Sequence, residues 1–509
     1  MKRIIFSLCL VAVVATGWAK PVSKMDAFSF ALNAKTAFCF TLHPEVANVY
    51  FDIDAQFVDI TEQLQVENLY VFNYRDCGIE GFVILSGDDI AAPVLAISDD
   101  GQLDPNNMAP AAREMLRQYD RQIDAARKQG VQATPAIAKK WADLDCGGDV
   151  SRAVENARWC KGDMYNDIIP DLLGNMRWGQ GKPYNNLCPG GSVTGCVATA
   201  FGMIMNYWNW PEHGFGMHSY NGEDHPAAYP DWSYGVQSAD FEHTYYDWDH
   251  IPDYVVINSD QAEIDAVSTL LYQIGVSLDM HYSPDGSGCW SLPEYAIFDT
   301  SLHLDASYGA DTRIPKHFGY KFSYAGMRDS VGDDSLWIAM LYTSLKEGKP
   351  IYYAGWEKEN NEAGHSATAG HGYILDGYFS DETDSNFFHI NWGWSGSSNG
   401  YFKLDAMTPS GMDFTQWHGA FIGIEPDTAY HGYDYLGIAP VSNSGAVVYS
   451  HDGRICVKAA EGEMVEVYDM MGRRVAAQRV VGCEWSTKVR SGVYIVCVGH
   501  TAGKKVAVL

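Results

Sequence analysis

The chain has 509 residues, 47% hydrophobic, 13% aromatic and 19% charged, enough apolar material for a large core, which excludes disorder as its overall state. A formal net charge of −29 would repel phosphate backbones, so no nucleic-acid partner is expected, and the length suggests about three domains. The 31 Tyr, 15 Trp and 49 Gly point to aromatic-rich sheets joined by tight turns, not to a helical bundle.

Met1-Lys2-Arg3 is basic, Ile4 to Val14 is apolar, and Gly17-x-Ala19 ends the stretch with small residues. These are the parts of a secretory signal peptide over 1–19, and the apolar run is too short to cross a bilayer. A secreted or cell-surface location is therefore expected. The Cys residues form no Cys-x-x-Cys pair and there is no His-Glu-x-x-His, so neither a metal site nor a cofactor is expected.

Residues 20–162 read as one unit. Short β-type runs at Val58-Asp59-Ile60, Leu69 to Phe72 and Phe82 to Leu85 lead to Pro93-Val94-Leu95-Ala96-Ile97 and a turn at Asp99-Asp100-Gly101. Pro110 opens a helix with Leu116, Tyr119, Ile123 and Ala126 on one face and Gly130 just past its end. Val131 to Lys161 reads as a connecting segment. Residues 163–427 hold nearly all the dense Trp and Gly motifs, 428–440 reads as a linker, and 441–509 alternates in short runs that suggest a small β-sandwich.

Within 163–427, Cys188 to Gly195 is loop-like, and Val197, Ala200, Phe201, Ile204, Met205 and Trp208 then repeat at helical spacing. Cys196 thus falls at a helix N-terminus, where unpaired N–H groups lower a thiol pKa. A buried structural Cys fits the segment equally well. A nucleophilic Cys needs a base close in space. Gly370-His371-Gly372 opens a strand-like run ending at Asp376-Gly377, while the rival His365 lies in a small, polar loop. In the strand Phe387 to Asn391, His389 is expected to face the core, and Asn391-Trp392 could present an amide and an indole beside an imidazole or form an aromatic core strand.

Together, Gly195-Cys196-Val197-Ala198-Thr199-Ala200, Gly370-His371 with Asp376-Gly377, His389-Ile390-Asn391-Trp392-Gly393-Trp394 and Trp178-Gly179-Gln180 resemble the streptopain family of papain-like cysteine peptidases. The resemblance implies an α+β, two-lobed papain-like fold, with a helical lobe and an antiparallel sheet lobe over 163–427. It implies Cys196 as nucleophile, His371 as general base and acid, Gln180 as oxyanion donor, and Asn391 and Trp392 orienting and shielding the imidazole. Ser287 and Gly370 would offer polar groups to the bound peptide. The 20–162 unit resembles the family's α+β prosegment, an intramolecular inhibitor, with the mature start near Met164. The 441–509 unit resembles a type IX secretion sorting domain, which implies contact with secretion machinery and export across the outer membrane.

The function so implied is a secreted cysteine endopeptidase, made as a zymogen and acting on protein or peptide substrates. A papain-like amidase or acyl transferase, or a surface binding protein with an inactive peptidase lobe, are the alternatives. The presence of Cys196, Gln180, His371 and Asn391 together argues against the inactive lobe.

Overall fold

The N-terminal helix α1 (Lys24–Leu42) places Ala27, Ala31, Ala34 and Phe38 at i, i+4, i+7 and i+11, and all four are buried. The computed structural model describes residues 20–42, 56–76, 78–145, 167–222, 234–289, 291–292, 309–359, 366–380, 386–404 and 418–430, and 447–451, 454–458, 461–469, 473–482, 484–490, 492–498 and 504–508 toward the C-terminus. The expected signal peptide, His365, Met164 and most of the 428–440 linker lie outside these residues. No described helix is long and apolar enough to cross a membrane.

Four antiparallel strands follow: β1 (Gln56–Asp59), β2 (Leu69–Asp76), β3 (Ile79–Ser86) and β4 (Val94–Ser98), with the short helix α2 (Thr61–Leu64) after β1. Helix α3 (Pro110–Lys128) buries Leu116, Tyr119, Ile123 and Ala126 as its spacing predicts. It stops at Gly130, whose φ of +67° suits a residue without Cβ. The segment after it is not only a connection. Helix α4 (Pro135–Leu144) forms there because Thr134 caps the Ile137 N–H, Pro135 fits the first turn, and Ile137, Trp141 and Leu144 share a buried face.

The central part begins with β5 (Asp167–Ile169) and helix α5 (Cys196–Trp208). The hairpin β6 (Met217–Asn221) and β7 (Val236–Asp240) precedes α6 (Gln261–Ser277) and α7 (Ala310–Phe318). Then come β8 (Tyr320–Lys321), β9 (Tyr324–Met327), α8 (Asp334–Lys346), β10 (Ile351–Glu359), β11 (Ser366–Ser380), β12 (Asn386–Asn391), β13 (Gly400–Phe402), β14 (His418–Ile422) and β15 (Glu425–Pro426). A helical side built on α5, α6 and α7 thus faces an antiparallel sheet, the two-lobed α+β arrangement expected. Phe201 of α5 stacks on Tyr352 of β10 at 4.9 Å, and Ile374 and Phe421 complete that interface.

The 20–162 unit does not stand apart. One 11-stranded sheet runs β1-β2-β3-β4-β13-β12-β11-β10-β14-β9, with β5 alongside β11. The join is β4 on β13, where Tyr401 pairs with Ile97 and Phe402 with Ala96. Lys403 N–H donates to Leu95 O at 2.9 Å, Ser98 Oγ donates to Asn399 O at 2.7 Å, and the Tyr119 hydroxyl donates to Lys403 O. One buried cluster therefore spans both parts, mixing Leu95, Leu116 and Tyr119 with Tyr373, Phe388, Trp392 and Phe402.

The described strands beyond His431 form a separate unit. Three strands (β16 Val447–His451, β17 Arg454–Lys458, β20 Glu484–Lys488) and four (β18 Met464–Asp469, β19 Arg474–Arg479, β21 Gly492–Val498, β22 Lys504–Val508) form two sheets. Ile455, Val457, Val465, Val467, Trp485 and Val496 lie buried in their shared core, a small β-sandwich as the alternation predicts.

Removing the hydroxyl that bridges α3 to the strand join leaves a buried carbonyl poorly satisfied. Tyr119→Phe should lower the stability of the full-length chain by about 1 to 2 kcal/mol in urea unfolding. An unchanged midpoint would show that the bridge contributes nothing to holding the two parts together.

Candidate active site

The loop ahead of α5 is fixed through its main chain. Val193 N–H donates to Ser283 O at 3.2 Å and Thr194 N–H to Gln180 O at 3.0 Å. Gly195 has φ +88°, and a Cβ there would lie 2.8 Å from the Met280 side chain and 3.1 Å from Ser287 O. Only glycine fits this turn, and it delivers Cys196 as the first residue of α5.

The sulfur of Cys196 accepts a hydrogen bond from Gly372 N–H of β11 at 3.3 Å. Burial raises the thiol pKa above its ordinary value, and the N–H groups of Gly372, Val197 and Cys196 itself oppose that rise without cancelling it. The lowered pKa expected of a helix N-terminus is therefore not what the full-length chain shows. Desolvation of the thiolate outweighs the few partial charges at the helix end.

Strand β11 explains the setting. Gly372 and Ile374 face α5: a Cβ on Gly372 would strike the ring of Tyr352, and Ile374 packs with Phe201. Tyr373 faces the other way and packs with Tyr353 and Trp392. His371, half-buried and paired in register with Gly355, is one residue from the thiol's partner.

The remaining candidates are placed as follows. Gln180 is partly exposed, and its carbonyl is the acceptor for Thr194, two residues before Cys196. Asn391 is buried; its Nδ2 donates to Met176 O at 2.7 Å and its Oδ1 accepts from Gly393 N–H at 3.1 Å. Trp392 lies in the core against Tyr373, with ring centroids 4.7 Å apart, and its indole N–H donates to Ser398 O at 2.8 Å. Ser287 is buried, donating from Oγ to Val193 O at 2.6 Å and accepting from Ser283 N–H at 3.0 Å. Gly370 is exposed and pairs with Trp356. The structure thus brings Cys196, Gly372, Gln180 and Ser287 together, puts Asn391 on the α5 side of the sheet and Trp392 on the far side.

His389 faces inward, as its strand position predicts, and its Nδ1 lies 2.7 Å from Asp376 Oδ1. Burial works against a charged imidazole here, yet Asp376, with Asp171 and Asp100 farther off, raises its pKa to about 9. Among the described residues, Asp171, Asp376 and His389 form the one group whose potential ligand atoms lie within 4.8 Å of one another. Imidazole and carboxylate already satisfy each other as an ion pair. Sequence reading missed this pair; its visible signal was a lone Asp interrupting the apolar run from Tyr373 to Phe379.

Residues 178–402 match the Peptidase C10 family, residues 19–123 match the Spi protease inhibitor family, and 438–508 match a domain of unknown function, DUF6383. The thiol protease/hemagglutinin PrtT of Porphyromonas gingivalis is 28% identical over 84% of this chain, and the chain spans only 44% of that relative's length. Streptopain of Streptococcus pyogenes is 27% identical over 74% of this chain and 85% of its own. A solved fragment of Prevotella intermedia prointerpain A superposes with a TM-score of 0.51 at 26% identity, covering 72% of this chain and 98% of the fragment. With a Cys at the head of a buried helix, a sheet strand against its sulfur and an inhibitor-type segment sharing that sheet, the chain is similar over residues 178–402 to the Peptidase C10 family of cysteine peptidases.

Proposed function

We propose that the protein is a secreted cysteine endopeptidase, held latent by its own N-terminal segment and hydrolysing protein substrates through a thioester on Cys196. The observation that carries this reading is the Cys196 sulfur at the first turn of α5, hydrogen-bonded to β11 one residue from His371. In the full-length chain the thiol is desolvated and bonded to a main-chain N–H of β11, a combination suited to a resting enzyme. Release of β4 from β13 would free the site for substrate, with His371 taking the proton from Cys196 and later passing it to the leaving amine.

Gln180 is assigned as a side-chain donor to the oxyanion, beside the main-chain N–H of Cys196. The Gln180–Thr194 link supports this, because it fixes the glutamine two residues from the nucleophile's turn. Asn391, on the α5 face, is assigned to meet the imidazole, and Trp392 to hold β12 in register through its packing on Tyr373 and Phe402. Ser287 shapes the substrate loop by tying Ser283 to Val193. Gly370, exposed beside the catalytic histidine, is assigned to the bound peptide backbone.

The organisation we assign is 1–19 signal peptide, 20–162 inhibitory prosegment, 163–427 peptidase, 428–440 linker and 441–509 sorting sandwich for export across the outer membrane. Arg152, Arg158 and Lys161 support cleavage between about Arg152 and Asn166, since basic, polar connecting segments are where proteolysis concentrates.

Cys196→Ala and His371→Ala should each abolish hydrolysis of a casein substrate by matured enzyme, whereas His365→Ala should keep most of it. Retained hydrolysis in Cys196→Ala would end the nucleophile assignment.

Gln180→Ala should lower kcat by about a hundredfold with KM little changed, because the amide acts on charge that develops in the transition state. An equal loss carried in KM would assign Gln180 to substrate binding instead.

The raised thiol pKa means that little thiolate exists at neutral pH in the full-length chain, so alkylation of Cys196 by iodoacetamide should be slow at pH 7 and accelerate above pH 9. Matured enzyme, with an amino terminus sequenced between Arg152 and Asn166, should react at least about tenfold faster at pH 7 through its imidazole-paired thiolate. Equal rates before and after maturation would refute latency through the dyad.

A further inference from the structure

Asp376 interrupts the pairing of β11. The register of β11 on β12 shifts between Leu375 and Gly377, so that Asp376 is the extra residue of a bulge. Gly377 is required beside it: a Cβ there would lie 2.8 Å from His389 Cβ and 3.2 Å from the Asp171 main chain. Bulges re-aim side chains, and this one aims a buried carboxylate at the segment 171–180 that leads to Gln180.

The carboxylate acts in two directions. Its Oδ1 meets His389 Nδ1 at 2.7 Å, and its Oδ2 accepts the Leu173 N–H at 3.2 Å, while the Asp376 carbonyl accepts the Leu172 N–H at 2.7 Å. Two residues along β12 from His389, on the same face, Asn391 donates to Met176 O. The segment is therefore gripped at Leu173 by Asp376 of β11 and again at Met176 by Asn391 of β12. Ser395 N–H to Trp178 O at 2.8 Å and Thr194 N–H to Gln180 O at 3.0 Å carry the hold to its end.

We propose that Asp376 and His389 are positioning residues of the peptidase: seated on the bulge of β11, the pair locks the segment 171–180 and so sets Gln180 beside Cys196. The charged groups around the imidazole are Asp376 on β11, Asp171 on the segment itself and Asp100 after β4, the last ion-paired with Arg177. Of these charges Asp171 rides on the segment being held, while Arg177, of the same sign as His389, is tied to Asp100. The charge on His389 draws Asp171 in, and the directional bonds of Asp376 fix the segment's register.

The inference rests on the reading of Gln180 as oxyanion donor, and the test separates the two. In the full-length protein, Asp376→Asn and His389→Gln should accelerate amide hydrogen exchange over 172–180 by at least about tenfold relative to the rest of the sheet. After maturation with a trace of wild-type enzyme, each should lower kcat by about tenfold to a hundredfold, with KM and the rate of Cys196 alkylation within twofold of wild type. Combined with Gln180→Ala, either variant should add little further loss. Wild-type exchange over 172–180 would overturn the inference, as would kcat losses that multiply in the double variants. If Asp376→Asn does not fold, His389→Gln, which keeps a donor toward Asp376, decides the question. Should Gln180→Ala alone leave kcat intact, the oxyanion assignment falls, and the exchange rates by themselves uphold or overturn the positioning role.

Discussion

The pairing of β4 with β13 governs the full-length molecule. It turns two modules into one hydrogen-bonded sheet, so the inhibitory part is not a plug resting on a cleft but an extension of the catalytic scaffold. The buried cluster shared by α3, β4, β12 and β13 reinforces that join with side chains from both parts. Whatever loosens the join must open a continuous backbone ladder and part an apolar layer, which makes release cooperative.

Strand β11 is the second element on which the site depends. At fifteen residues it is long enough to meet β10, β12 and β5, and its two faces do different work. The face toward α5 carries glycine and isoleucine, so the backbone itself reaches the sulfur. The other face carries Tyr373 into the aromatic layer with Trp392.

Much of this was legible in the sequence because its signals are local. The helix from Pro110 to Gly130, the helix start at Cys196 and the alternating C-terminal strands follow from spacing and turn residues, and the structure places them there. Helix α1 was not legible: its buried face is built of small alanines between Phe28, Phe30 and Leu32, leaving no clean apolar stripe. Helix α4 was hidden by its Pro135, which breaks helices in their interior but begins them at the first turn. The raised thiol pKa, the merged sheet and the bond between Asp376 and His389 all depend on residues far apart in the chain. Such effects of burial and pairing leave no mark in spacing, save for the single carboxylate set among apolar neighbours in β11.

The strand join also bears on what the liberated enzyme exposes. Detaching a sheet from its neighbour leaves an open edge, with main-chain donors and acceptors free to recruit strands from other molecules. Here the border that would be bared is β13, three residues long and begun by a glycine at φ +158° that sits tightly against Ser98. So brief an edge offers few rungs for a foreign strand to climb. The short seam that joins the two parts would thus leave little edge for a foreign strand to pair with once it opened.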